Sequence, residues 1–130
     1  MCGHWSEEGA KDEHPNATII RRMAESDDLG PLDFVTDDVV WHVLGRDEPY
    51  RGKVEMQRGS GTADYEWVGE KTHDMLANDE HAVSMLEATA RRGDETFTFR
   101  TVEIYHMRDG KIAERWAFSD DTEAIKRFFA

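Results

Sequence analysis

The chain has 130 residues, 38% of them hydrophobic and 34% charged, which is the length of about one domain. Sixteen Lys and Arg stand against 28 Asp and Glu, a formal net charge of −12 that repels polyanions and argues against nucleic acid as a partner. No run approaches the ~20 apolar residues that cross a bilayer, so no membrane partner is expected, and a single cysteine excludes an internal disulfide framework or a multi-thiolate metal site. The stretch before Pro15 holds no apolar leader, and a cytoplasmic location is the expectation.

Residues 1–13 show no periodicity and read as a flexible tail in which Trp5 is the one residue able to dock. A single domain is expected over residues 14–130. Pro15 suits the first turn of a helix, where a missing N–H costs nothing. Ala17, Ile20, Met23 and Ala24, with Ile19 beside them, then form an apolar stripe at helical spacing, and Ser26-Asp27-Asp28 stops it. A short second helix is expected over residues 29–35, with Leu32 and Phe34 or Val35 buried. The β-branched and aromatic run from Val39 to Leu44 reads as a strand. Residues 45–52 read as a loop. A third helix is expected within residues 54–68, interrupted near Gly59 and Gly61, each of which costs ~1 kcal/mol in a helix interior.

Residues 72–77, 82–91, 96–107 and 111–118 read as strands, separated by Asn78-Asp79, Arg92-Gly93-Asp94 and Arg108-Asp109-Gly110. Asp109-Gly110 is the strongest hairpin signal, because positive φ is cheap for glycine and tolerated by aspartate. Ser119-Asp120-Asp121 is expected to cap a last helix reaching Phe129. Helices first and an antiparallel meander after them predict an α+β fold. A curled sheet under helices leaves a pocket lined by one alternate set of strand residues.

Between residues 96 and 107 the richer apolar set is Phe97, Phe99, Thr101, Glu103, Tyr105 and Met107. Glu103 and Tyr105 then share a face, and a buried carboxyl beside a phenol is an arrangement that acid–base chemistry uses. A solvent-facing Glu103 flanked by Tyr105 is the plainer alternative. His42 shares a face with Val40 and Leu44, either as a proton carrier near neutral pH or as a hydrogen-bonded core histidine. Trp41, Phe99, Thr101, Met107, Trp116 and Phe118 are the expected ligand-lining residues, although a tryptophan such as Trp116 more often serves core or dimer packing than a ligand platform. His73, His81 and His106 lack a compact ligand spacing, so no metal is expected. Gly59-Ser60-Gly61 lacks the lysine and spacing of a phosphate loop.

Three ordered segments carry a resemblance. They are Thr36-Asp37-Asp38-Val39-Val40-Trp41-His42-Val43-Leu44-Gly45, Tyr50-Arg51-Gly52-Lys53, and the run from Tyr105-His106-Met107-Arg108-Asp109-Gly110 through Lys111-Ile112-Ala113-Glu114-Arg115-Trp116. In order and spacing they resemble the SnoaL-like polyketide cyclase and ketosteroid-isomerase-related branch of the nuclear transport factor 2-like superfamily. The resemblance implies a cone-shaped, cystatin-like α+β barrel: a curved, mostly antiparallel sheet covered by N-terminal helices, with a deep apolar pocket. It also implies no cofactor, no metal, a small apolar molecule as ligand, and frequently a homodimer. By position it places His42 where the isomerases carry their proton-shuttling aspartate, and Glu103 where they carry the protonated acid of the oxyanion hole. No tyrosine precedes Tyr50 to match the isomerases' first-helix tyrosine, so steroid isomerisation itself is not expected. The cyclases' acid lies near the end of the sheet, where Asp120 and Asp121 stand. The implied function is cofactor-independent proton transfer, isomerisation or cyclisation on an apolar carbonyl compound, with Glu103 or Tyr105 hydrogen-bonding the developing enolate. A non-catalytic domain for a hydrophobic ligand or for dimerisation is the alternative.

Overall fold

Helix α1 (Pro15–Glu25) begins at the proline, as the sequence predicts. The His14 carbonyl accepts from the amides of Ala17 and Thr18 at 2.9 and 3.2 Å. Asn16 Nδ2 donates to the carbonyls of Asn78 and Asp79 at 2.9 and 3.1 Å, which pins the start of the helix to a hairpin turn of the sheet. Ala17 and Ile20 face inward and are buried. The computed structural model describes residues 13–25, 30–44, 46–59 and 65–129, so the expected tail with Cys2 and Trp5, and the Ser26-Asp27-Asp28 stop, lie outside the described residues.

A single 3-10 turn (Gly30–Phe34) takes the place of the expected second helix. Strand β1 (Val35–Trp41) then starts four residues earlier than its β-branched run suggests and ends at Trp41. The cause is tertiary. Val35 pairs in parallel with Ile112, and both side chains are fully buried. A two-residue strand β2 (Tyr50–Arg51) lies in the expected loop and pairs antiparallel with Val40 and Trp41. Helix α2 (Gly52–Gly59) is eight residues long and buries Met56. The expectation of a helix as far as Val68 is overturned, because Trp67 and Val68 belong to strand β3 (Glu66–Ala77). Aromatic and β-branched side chains fit that pleated surface better than a helix.

Strands β4 (His81–Arg92), β5 (Glu95–Arg108) and β6 (Lys111–Ser119) complete a six-stranded sheet of order β2-β1-β6-β5-β4-β3, antiparallel except between β1 and β6. Asp109 and Gly110 adopt φ of 52° and 77°, the mirror-image turn expected of this dipeptide. Helix α3 (Thr122–Phe129) is capped by Asp121, whose Oδ1 accepts from the Ala124 amide at 3.0 Å. Its buried Phe128 stacks on Phe97 with ring centroids 5.0 Å apart, and Arg92 Nη1 donates to the Phe128 carbonyl at 2.8 Å.

The fold is therefore the expected α+β cone, a curved mixed sheet with its helices. The core joins Ile20 of α1 and Met56 of α2 to Val35, Val39, Ala82, Tyr105, Met107 and Ile112 of the sheet. Along β4 the buried residues on the helix-covered face include Ala82, Ser84, Ala88 and Ala90. Such short side chains leave room between the sheet and α1 that the core does not fill.

Candidate functional site

Strand alternation decides which residues meet under α1. Tyr105 pairs with Arg115, and Trp41 also pairs with Arg115, so these three side chains share the helix-covered face with Glu103. A cavity of about 240 Å³ opens there, with Ile20 and Met23 above it and Trp41, Trp67, Met75 and Leu86 around it. Its polar lining consists of Glu70, Thr72, Ser84, Glu103, Tyr105 and Arg115.

The polar floor is a single connected cluster. The Tyr105 hydroxyl donates to Glu103 Oε1 at 2.6 Å. Arg115 Nη2 meets Glu103 Oε2 at 3.0 Å, and the Thr101 hydroxyl donates to the same oxygen at 3.3 Å. Arg115 Nη1 donates to the His42 carbonyl at 2.7 Å, and its Cζ lies 4.8 Å from the Trp41 ring centroid. The Glu103 and Arg115 side chains are only 13% and 12% exposed, so their attraction acts with little screening by water. Burial, and then the negative charge of Glu103, holds the Tyr105 phenol well above its usual value of 10.0. The phenol is a proton donor across the physiological range.

Glu70 stands apart from this cluster. It lines the cavity from β3 while remaining exposed, which places it at the rim. Burial raises its carboxyl above the ordinary value, the charge of Glu103 raises it further, and Arg115 opposes both. Two further groups on the lining lack hydrogen-bond partners. They are the hydroxyl of Ser84, a residue 1% exposed, and Arg115 Nε.

His42 and Glu103 are not brought together, contrary to the expectation of one shared hollow. Because Trp41 turns inward toward Arg115, His42 turns to the opposite face of the sheet. There its Nε2 meets Glu114 Oε2 at 2.8 Å, and its ring stacks on Trp116 with centroids 6.0 Å apart. Trp116 and Phe118 belong to that same outer face, and Phe118 is 55% exposed. A register shift at His106/Met107 explains the reversal: Ile112 faces the core, whereas Glu114, Trp116 and Phe118 face out. Met107 is packed into the core, and Phe99 lies further along β5, stacked on Phe97 and edge-on to Trp67. Of the expected ligand-lining residues Trp41 surrounds the cavity, as do Glu103 and Tyr105 of the expected catalytic set, whereas Thr101 is buried against Glu103 and is not on the lining. Asp120 and Asp121 are exposed at the end of β6, and Asp121 serves as the cap of α3. Among the described residues no three of His, Cys, Asp and Glu are grouped to hold a metal ion.

Arg115, Glu70 and Ser84 were not expected. Arg115 had a sequence signal, since it is the one charged residue between Ala113 and Ala117 in the alternate set of β6. Glu70 had none, because it falls between the expected helix, which stops at Val68, and the strand expected from Thr72.

The comparisons with known proteins agree with this architecture. A family described as the SnoaL-like domain matches residues 12–115. TerC, in a crystal structure with polyporic acid, superposes with a TM-score of 0.72 at 20% identity, covering 89% of this chain and 98% of that one. A protein described as a SnoaL-like polyketide cyclase from Mesorhizobium loti gives 0.65 at 17% identity, covering 80% and 95%. A nuclear transport factor 2-like protein from Burkholderia pseudomallei gives 0.70 at 19% identity, covering 90% and 98%. No curated protein matches the sequence. Likenesses at these identities speak for the fold, and the family match spans most of the chain: this protein belongs to the SnoaL-like domain family, within the nuclear transport factor 2-like fold.

Proposed function

We propose that the cavity under α1 takes a small, largely apolar carbonyl compound and supports cofactor-independent acid–base chemistry on it, a proton transfer that isomerises or cyclises the molecule. The observation that carries this reading is the Tyr105–Glu103–Arg115 cluster at the floor of a largely apolar cavity. A guanidinium held in place by one buried carboxylate, which the Tyr105 phenol also holds, is a preorganised donor for charge that develops on oxygen. Apolar walls of Trp41, Trp67, Met23 and Leu86 supply affinity without specifying polar groups on the ligand. Glu103 and Tyr105, expected to hydrogen-bond the developing enolate themselves, instead hold Arg115 in this reading, and His42, facing outward, is left out of the cavity's chemistry.

The direct test is to fill the cavity without touching its polar groups. Leu86→Trp is expected to abolish uptake of 2-naphthol, read as quenching of tryptophan fluorescence, and any turnover of apolar ketones. Uptake equal to that of the parent protein would place the ligand elsewhere and end this reading.

The partner we assign to the outer face is a second copy of the chain. Leu76, Val102 and Phe118 are exposed there, and Met85, Ile104 and Trp116 are half-buried beside them. A groove of about 680 Å³ crosses β3 to β6 on this side, with Lys71, Glu87, Arg100 and Asp120 along its margin. Lys71, Glu87 and Arg100 are cross-strand neighbours of alternating sign. A twofold-related copy presents the same apolar band, so that the two bands cover each other.

A further inference from the structure

Three carboxyl or phenol groups line the cavity, and their hydrogen bonding separates their roles. Glu103 is saturated, with Oε1 taken by Tyr105 and Oε2 shared by Arg115 and Thr101. A carboxylate so held is a poor proton acceptor, because taking a proton means giving up a buried ion pair. Tyr105 spends its proton on Glu103. Glu70 has no hydrogen bond or ion pair with any described residue, and it reaches both the cavity and solvent. A free carboxylate at the rim can accept a proton from a molecule inside and exchange it with water.

The unpartnered donors complete the pattern. Ser84 lies directly across from Glu103 on the neighbouring strand, and its hydroxyl is buried without a partner. Arg115 Nε–H is likewise buried and unpaired, although both Nη atoms are engaged. Leaving a buried donor unsatisfied costs about 1–3 kcal/mol, so two on one cavity lining point to an acceptor supplied from outside the chain. Both donors belong to residues that line the cavity.

We infer that Glu70 is the proton-accepting residue of the cavity, and that Ser84 Oγ and Arg115 Nε are the donors that hold the substrate's carbonyl oxygen. This rests on the reading of the cavity as the site of a carbonyl compound. The Glu70 carboxylate removes a proton from the carbon next to the carbonyl. The C–H electron pair becomes the carbon–carbon double bond of an enolate, and the C=O π pair moves onto oxygen, against Ser84 and Arg115. Return of the proton from Glu70 to the same carbon, or to another carbon of the conjugated system, restores the carbonyl and the Glu70 carboxylate. No oxidant or co-reactant enters. The substrate class follows: a compact, mostly hydrocarbon ketone with an acidic α-hydrogen and one acceptor oxygen.

The test uses 2-tetralone as a probe ketone and 2-naphthol as an analogue of its enolate. Hydrogen–deuterium exchange at the α-carbon of 2-tetralone, followed by NMR in deuterated buffer, reads the proton transfer. The parent protein is expected to accelerate exchange on the order of 10²-fold over buffer, as a positioned general base does. Glu70→Gln is expected to lose that acceleration while quenching by 2-naphthol is retained. Ser84→Ala is expected to weaken 2-naphthol binding by up to about tenfold and leave naphthalene binding unchanged, the loss of one hydrogen bond to the naphthol oxygen. If Glu70→Gln binds 2-naphthol and still exchanges at the parent rate, the assignment of Glu70 fails while the cavity reading stands. A parent protein that binds both probes without accelerating exchange likewise overturns the inference. A parent protein that binds neither probe fails the cavity reading, and the inference falls with it.

Discussion

The Tyr105 hydroxyl meets Glu103 Oε1 at 2.6 Å although the two residues are neighbours-but-one on a single strand. The pleat puts them side by side on one face, and Arg115, on the adjacent strand, closes the cluster by binding the other carboxylate oxygen at 3.0 Å. Both charges are largely shielded from water, so each depends on the other.

That dependence makes the pair costly to break singly. Arg115→Met leaves Glu103 buried and unpaired, and is expected to lower the unfolding free energy in urea by about 3 kcal/mol. The double variant Glu103→Leu with Arg115→Met is expected to recover most of the loss. A single variant as stable as the parent would mean that the ion pair does not close in solution.

Stability at alkaline pH reports on Tyr105. Its phenol ionises well above 10.0 in the folded chain, while in the unfolded chain it ionises near that value. The unfolded state therefore releases its proton first, and the stabilisation present below pH 10 is lost as pH rises toward the folded value. Melting curves of Tyr105→Phe are expected to fall less steeply above pH 10 than those of the parent. Parallel curves would show that the phenol is not buried against Glu103.

His42→Ala separates the two faces of the sheet. The His42–Glu114 pair is about one-third exposed on both sides, so its loss is expected to cost less than about 1 kcal/mol. Exchange into 2-tetralone is expected to stay within twofold of the parent. A large loss of exchange would put the imidazole back into the chemistry.

Phe118→Asp tests the outer face. Placing a charge in the middle of the apolar band is expected to shift the protein from dimer to monomer in sedimentation experiments, with 2-naphthol uptake preserved. An unchanged sedimentation coefficient would remove this face as the site of self-association.

Asp121→Ala removes the acceptor of the Ala124 amide at the start of α3. A loss of about 1 kcal/mol in urea denaturation is expected, the ordinary worth of an N-cap. Because Phe128 of this helix stacks on Phe97, faster amide exchange in the last helical turn is expected to accompany it.

Local signals carried much of this molecule. Pro15, the stripe through Ile20, the Asp109-Gly110 turn and the Asp121 cap are each properties of a few consecutive residues, and the α+β order of elements follows from them. The pairing of Glu103 with Tyr105 was equally legible, since alternation along one strand needs no partner. What the sequence by itself left open was every relation that crosses strands. Val35 joins the sheet through a parallel partner far along the chain, and a shift of one residue at His106/Met107 reverses the faces of Trp116 and Phe118. Side chains on a strand have a period of two, so one such shift, which no local propensity records, carries a residue from the cavity to the outside. That is why Arg115 stands at the floor of the cavity while His42 stands behind it.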